Sequence, residues 1–345
     1  MTVLFVTWAG GGNSTPVLGL ATRLVSRGHR VKIASPDDMA SRFEAVGIDY
    51  EVIGWGAGDV RALIEREAPG IVVVDFMMPS WMSQAEASGV AWVSLVHTLY
   101  DRVAAGILTV FTTLEAVNDE RAALGLERLS DAADLLERAN RVLVTAPREL
   151  DSAAIAPPNV VHVGTILEEP GPDAGWRPPW SHRPLIVMSP GTTIGLNEEP
   201  LITCMLDAAT DRDVHVIVNA GTHVDTARLR PRANAAITGY VRHAAVLPHA
   251  DAVVTHGGLG SIVAALAHGL PLVCVPLGRD QFHNAERVVA LGCGEAAGPD
   301  TTPQGLWRAV EAVLRERRYR EAARPFAAAY DPTARAAIDE LEALL

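Results

Sequence analysis

Residues 251–269 read DAVVTHGGLGSIVAALAHG. DAVVT has the apolar, β-branched character of a strand, HGGLGS is a turn, and SIVAALAHG continues as a helix. Gly257, Gly258 and Gly260 let the backbone approach a ligand without Cβ obstruction. Ser261 and the free N–H groups at the helix start offer donors to an anion, aided by the positive end of the helix dipole. His256, at the end of the strand, adds one more donor. A GGxG turn by itself more often serves only packing, so its weight depends on what surrounds it.

Downstream, PLVCVP at 271–276 is another buried strand, and LGRDQ brings Asp280 and Gln281 to the next βα turn, on the same rim. A carboxylate accepts and an amide both accepts and donates, which suits the hydroxyls of a sugar. Asp280 also fits a helix N-cap, and the two roles are compatible. Upstream, LIVMSPGTT at 185–193 is a strand running into a glycine turn, and it echoes VLFVTWAGG at 3–11.

From these landmarks the plan extends along the whole chain. VLFVTW, HRVKIAS, DYEVI, GIVVVD, AWVSLV, RVLVT and VVHVG alternate with helical patterns in the first half. HVIVN, AAITG, AVVT, PLVCVP and a short strand near GCGEAA follow LIVMS in the second. Such alternation predicts parallel α/β architecture, with ligands beyond the carboxyl ends of the strands. Between the halves, LEEPGPDAGWRPPWSHRPL is dense in Pro and Gly without a period and reads as a linker. The expected division is a domain at 1–165, a linker at 166–184, a second domain at 185–325 and a C-terminal helix at 326–345.

The first turn, AGGGNSTP at 9–16, is a rival phosphate cradle. Gly10 and Gly12 match two positions of a dinucleotide fingerprint, but Thr15 stands at the third, with Asp37 and Asp38 following the second strand. That partial match keeps a nicotinamide oxidoreductase as an alternative. Behind the turn, Pro16 suits a first helical position, and Val17, Leu18, Leu20, Ala21, Leu24 and Val25 form one apolar face.

Bulk properties narrow the choices. With 345 residues and a formal charge of −12, the chain has room for two domains and lacks the basic surface that nucleic acid needs. Three cysteines without CxxC spacing fit reduced thiols. There is no signal-peptide pattern and no apolar run near the ~18 residues of a membrane span, so a soluble, cytoplasmic protein without a membrane partner is expected. The 11 histidines show no HExxH or paired Cys/His spacing, so no metal is expected.

The stretch GYVRHAAVLPHADAVVTHGGLGSIVAALAHGLPLVCVPLGRDQFHNAERVVALGCG resembles the nucleotide-sugar signature of family-1, GT-B-fold inverting glycosyltransferases. It is most similar to the bacterial enzymes that decorate antibiotics and other natural products. The resemblance implies two Rossmann-like parallel-sheet domains facing each other across a cleft. It implies a TDP- or UDP-sugar as cosubstrate, no further cofactor, and a small hydrophobic natural product as acceptor. A homodimer stays open as an assembly. By the same resemblance His256, Gly258, Gly260 and Ser261 face the diphosphate, with Thr192 nearby. Asp280 and Gln281 take the transferred sugar, while Tyr240 and Val241 lie where the base is contacted. Arg242 stands where proline is usual and His243 where glutamine is common. The last helix is expected to fold back onto the N-terminal domain.

The resemblance makes AGGGNSTP an acceptor-side loop that usually carries a histidine base, yet here the position is Asn13. An amide has no useful basicity, so Asn13 can orient a hydroxyl but cannot take its proton. His97, at the end of AWVSLV, and Asp75, at the end of GIVVVD, reach the same rim and are the candidate base and its partner. Asp101 is a weaker candidate. Gly12, Phe76, Met78, Trp81 and Tyr100, with Trp55 and Met77, could line an acceptor pocket or equally be core. Because the usual base is missing, a non-catalytic auxiliary that binds nucleotide sugar is a further alternative.

Overall fold

The computed structural model describes residues 1–10, 12–44, 46–104, 106, 108, 112–152, 156–168, 171–180, 182–191, 198–221 and 224–345. The chain forms two compact units, one of residues 1–166 with 331–345, the other of residues 167–330.

In the first unit the strands are β1 (Thr2–Val6), β2 (Arg30–Ser35), β3 (Asp49–Val52), β4 (Ile71–Asp75), β5 (Ala91–Val96), β6 (Arg141–Val144) and β7 (Val160–His162). They make one sheet of order β3-β2-β1-β4-β5-β6-β7, parallel throughout. The central strands β1 and β4 are buried almost end to end, which is why they read as continuous apolar runs rather than alternating ones. Helix Ser14–Ser26 lays Val17, Leu18, Leu20, Ala21 and Leu24 into the core. Val25, expected on that face, is 39% exposed, because one step past Leu24 turns it about 100° around the helix.

The C-terminal helix Arg335–Glu342 belongs to this unit. Ala334, Ala337, Ile338 and Leu341 enter the first core, and Glu342 pairs with Arg27 and His29 while Glu340 pairs with Arg141.

The second unit repeats the plan with β8 (Leu185–Ser189), β9 (His215–Asn219), β10 (Ala235–Thr238), β11 (Ala252–Thr255), β12 (Leu272–Cys274) and β13 (Gly294–Ala296). Their order is β10-β9-β8-β11-β12-β13, again all parallel. Cys274 is a fully buried apolar member of β12. The segment expected as a linker joins this unit from Leu167 onward. Glu168 takes the Tyr240 hydroxyl and the Arg242 guanidinium, and the Asp173 carboxylate accepts the Arg242 N–H at 3.2 Å.

In both sheets the strand order reverses at one place, with β1 and β2 on one side and β4 on the other, or β8 and β9 against β11. In open parallel sheets such switch points leave a crevice at the carboxyl ends of the strands. The register sets what lies there. Val6 pairs with Val74 and Asp75 with Leu95, so Thr7, Asp75 and Leu95 are level and His97 stands just beyond. In the second unit Ser189, Thr255 and Cys274 are level, with His256 next.

Candidate active site

At the switch point of the first unit, three strand ends converge on one carboxylate. His97 Nε2 lies 3.2 Å from both Asp75 oxygens. The Asn13 amide donates to Asp75 Oδ2 at 2.9 Å, the Thr7 hydroxyl reaches the same oxygen at 3.4 Å, and the Met77 N–H donates to Oδ1 at 3.0 Å. Burial alone would push the Asp75 carboxyl up; the His97 charge and hydrogen bond, with the Asn13 and Met77 donors, outweigh it and hold it below the usual carboxylate range. An ionised Asp75 fixes the proton of His97 on Nε2 and leaves Nδ1 as the basic nitrogen. The Phe76 ring meets the imidazole edge-on with centroids 4.7 Å apart. His97 keeps 15% of its side chain exposed, whereas Asp75 keeps 2%.

The glycine loop before this cluster spends two of its backbone donors within the chain. Ala9 donates its N–H to Asp37 Oδ2 at 2.7 Å, and Gly10 donates to Asn13 Oδ1 at 3.1 Å. Arg42 donates to the hydroxyls of Ser14 and Thr15 at the helix start. One Asp37 oxygen therefore serves the loop itself, and two N–H groups that a phosphate would need are taken. Asn13 is 1% exposed with both amide ends engaged, its NH2 also reaching the Trp8 carbonyl at 2.6 Å. It holds the carboxylate and the loop from behind, which corrects the expectation that it orients an acceptor hydroxyl.

The switch point of the second unit is built to the opposite design. Helix Leu259–Ala267 starts here, and among the described residues the N–H groups of Gly258, Leu259 and Gly260 have no acceptor within the chain. A Cβ on Gly258 would stand 2.5 Å from His256 Nε2, and one on Gly191, at φ 117°, would stand 2.7 Å from the same ring. The His256 imidazole is thus wedged between two glycine backbones and is 5% exposed. Desolvation pushes it down to about 4, against an opposing hydrogen bond to the Ser189 backbone, so the ring is neutral at ordinary pH and carries one N–H.

The neighbouring loop carries the remaining donor-side residues. Arg279, at φ 57°, holds a left-handed conformation just before Asp280, a backbone strain that persists where the surroundings demand it. Asp280 is the N-cap residue of helix Gln281–Ala290 but makes no side-chain cap hydrogen bond; its carboxylate accepts from Asn284 Nδ2 at 3.2 Å. Asn284 also donates to the Gly257 carbonyl at 3.1 Å and so ties the two loops together. Gln281 spends its amide oxygen on the N–H groups of Leu277 and Gly278, at 2.8 and 3.0 Å. What it retains for a ligand is its NH2.

The chain is similar to known proteins over most of its length. Residues 203–344 match the family described as erythromycin biosynthesis protein CIII-like, C-terminal domain. The 4'-demethylrebeccamycin synthase of Lentzea aerocolonigenes is 27% identical over 394 residues, covering 92% of this chain and 93% of that protein. The demethyllactenocin mycarosyltransferase of Streptomyces fradiae is 26% identical, covering 92% of this chain and 80% of its own. The calicheamicin glycosyltransferase superposes with a TM-score of 0.83 at 23% identity, over 100% of this chain and 98% of its own. The chain is a GT-B glycosyltransferase.

In this glycosyltransferase several expected positions take unexpected roles. Val241 has both backbone groups sealed by Asn219, whose amide accepts the Val241 N–H at 2.9 Å and donates to its carbonyl at 2.7 Å. The Val241 N–H is thereby spent, while its carbonyl keeps a second lone pair. Tyr240, 40% exposed with its hydroxyl held by Glu168, keeps an aromatic surface available. Thr192 lies outside the described residues.

On the acceptor side, Trp81, Phe76 and Tyr100 are buried at 0%, 1% and 4% exposure, so they pack the core instead of lining an open pocket. Met78 is half-buried and Gly12 exposed, with open space where a Cβ would be. Trp55, 56% exposed and 6.1 Å from Trp81 between ring centroids, is the available aromatic of that group. Asp101 receives the Ser152 hydroxyl. Sequence reasoning missed Thr7, Ser189, Asn219 and Asn284. Asn284, four residues after Asp280 on one helix face, was the one with a readable signal.

Proposed function

We propose that this glycosyltransferase moves a sugar from a thymidine or uridine diphosphate donor to a small apolar natural product with inversion at the anomeric carbon. The observation that carries the reading is the pair of unlike switch points: an imidazole held by an ionised carboxylate in one unit, and unpaired N–H groups behind a glycine turn in the other. The acceptor hydroxyl gives its proton to His97 Nδ1 as its oxygen bonds to the anomeric carbon, and the bond to the diphosphate breaks on the far side. Asp75 stabilises the imidazolium that forms. The departing diphosphate takes hydrogen bonds from Gly258, Leu259, Gly260 and Ser261 and is stabilised by the helix dipole, with no metal required. Asp280 and the Gln281 NH2 hold the sugar hydroxyls.

Among the described residues no helix is long and apolar enough to cross a membrane. The His97–Asp75 pair supports catalysis over the auxiliary role that Asn13 suggested. Thermal shift against TDP, UDP, TDP-glucose and NAD tests the donor class, because stabilisation reaches ~2.7 kcal/mol at a hundredfold excess over Kd. Stabilisation by NAD alone would overturn the reading. A mass-spectrometric screen of phenols, alcohols and amines with the preferred donor then identifies the acceptor and the atom glycosylated.

A further inference from the structure

Behind the diphosphate cradle runs a short polar chain of which the donor reading uses only Ser261. His243 Nε2 lies 3.0 Å from Ser189 Oγ, and Ser189 Oγ lies 3.3 Å from Ser261 Oγ. Ser189 and Ser261 are 5% and 7% exposed, and His243 is half-buried. The three come from the end of β8, the segment after β10 and the first turn of helix Leu259–Ala267.

We infer that His243, acting through Ser189, aims the hydroxyl proton of Ser261 at the donor's diphosphate, an inference that rests on the donor-site reading of Ser261. The argument is one of proton counting. Desolvation pushes His243 down to about 4, so its ring is neutral at ordinary pH and has a single N–H. With that proton on Nε2, the ring donates to Ser189, Ser189 donates to Ser261, and the Ser261 proton is left for a ligand. With the proton on Nδ1, every bond reverses: Ser261 donates to Ser189, Ser189 donates to the ring, and Ser261 presents only lone pairs. An anion repels lone pairs and attracts a proton, so the diphosphate selects the first polarity. His243 and Ser189 are therefore positioning residues, and Ser261 is the group that touches the donor.

Calorimetry with TDP and with thymidine separates this from a packing role. Ser261→Ala is expected to weaken TDP about tenfold, the loss of one hydrogen bond to a charged group. Ser189→Ala should weaken TDP several-fold, and the double variant should bind no more weakly than Ser261→Ala alone, because the shared proton path is already gone. His243→Phe should match Ser189→Ala, whereas His243→Gln, which keeps an N–H donor, should recover to within about twofold of the parent. Thymidine, without phosphates, should bind all variants equally. Additive losses from Ser189→Ala and Ser261→Ala, or His243→Gln as weak as His243→Phe, would overturn the relay. Unchanged TDP affinity in Ser261→Ala would remove Ser261 from the donor site, and the relay with it, while Asp280 and the helix N–H groups would stand.

Discussion

The two switch points occupy the same place in the same topology, yet one gathers around a buried carboxylate and the other around a glycine turn. In the first unit Ala9 and Gly10 give their N–H groups to Asp37 and Asn13, and Asp75 gathers Thr7, Asn13, Met77 and His97. In the second, the glycine turn leaves Gly258, Leu259 and Gly260 with their N–H groups unspent among the described residues. Strand order provides a crevice in both. What each crevice presents depends on the side chains that the strand ends bring to it.

The strongest way to break the contrast is to remove the imidazole of the first crevice. His97→Ala should lower kcat ~10²–10⁴-fold, the worth of a positioned base, with TDP affinity unchanged by calorimetry. Nearly full kcat on the true acceptor would place the base elsewhere, or show an acceptor acidic enough to need none.

Acid should separate the units next. His243 and His256 are held near 4 by burial, whereas an unfolded histidine titrates near ~6.5. Between those values the unfolded chain binds protons that the folded one refuses. Their contribution is complete above about pH 6.5 and is lost as pH falls through 4. Asp75, depressed below the ordinary carboxylate value, loses its contribution only at still lower pH. Hydrogen exchange on acidification should therefore show residues 252–275 opening before residues 71–96, and the reverse order would contradict the assignment.

Within the second crevice, His256→Ala should weaken TDP by about 1.5–3 kcal/mol, through loss of its donor and slackening of Gly191 and Gly258 around the vacated ring. Asp280→Ala should instead spare TDP and impair use of the sugar donor. Equal TDP affinity in His256→Ala and the parent would sink the cradle reading.

A smaller effect is expected from Asn13→Ala, which removes one of several donors to Asp75 while His97 stays in place. Its kcat should fall less than that of His97→Ala; an equal fall would make the amide part of the reacting group. The smallest effect is none: EDTA should leave turnover intact, and its loss with recovery in magnesium or manganese would mean that the open N–H groups do not suffice.

Much of this was legible in the chain. Buried parallel strands write themselves as unbroken apolar runs, so VLFVT, IVVVD and AVVT were readable, and with them the strand ends that carry Asp75, His97 and His256. Gly28 closing the first helix and the Pro-rich break between the halves were local signals too. The fate of individual polar groups was not. The resemblance makes the Asn13 loop acceptor-side, but the neighbouring Asp75 oxygen, 62 residues away, takes the Asn13 amide.

The sequence by itself determined the doubly repeated α/β plan and the residue types at each strand end, because periodicity and glycine turns act over a few neighbours. Tertiary structure alone decided which of those groups remain free. Asn219 closes the Val241 backbone across 22 residues, Asp37 closes Ala9 across 28, and His243 meets Ser189 across 54. Such pairs exist only because strand order and register bring distant segments level. A hydrogen bond spans about 3 Å of space whatever the length of chain between its ends, so no local pattern records it.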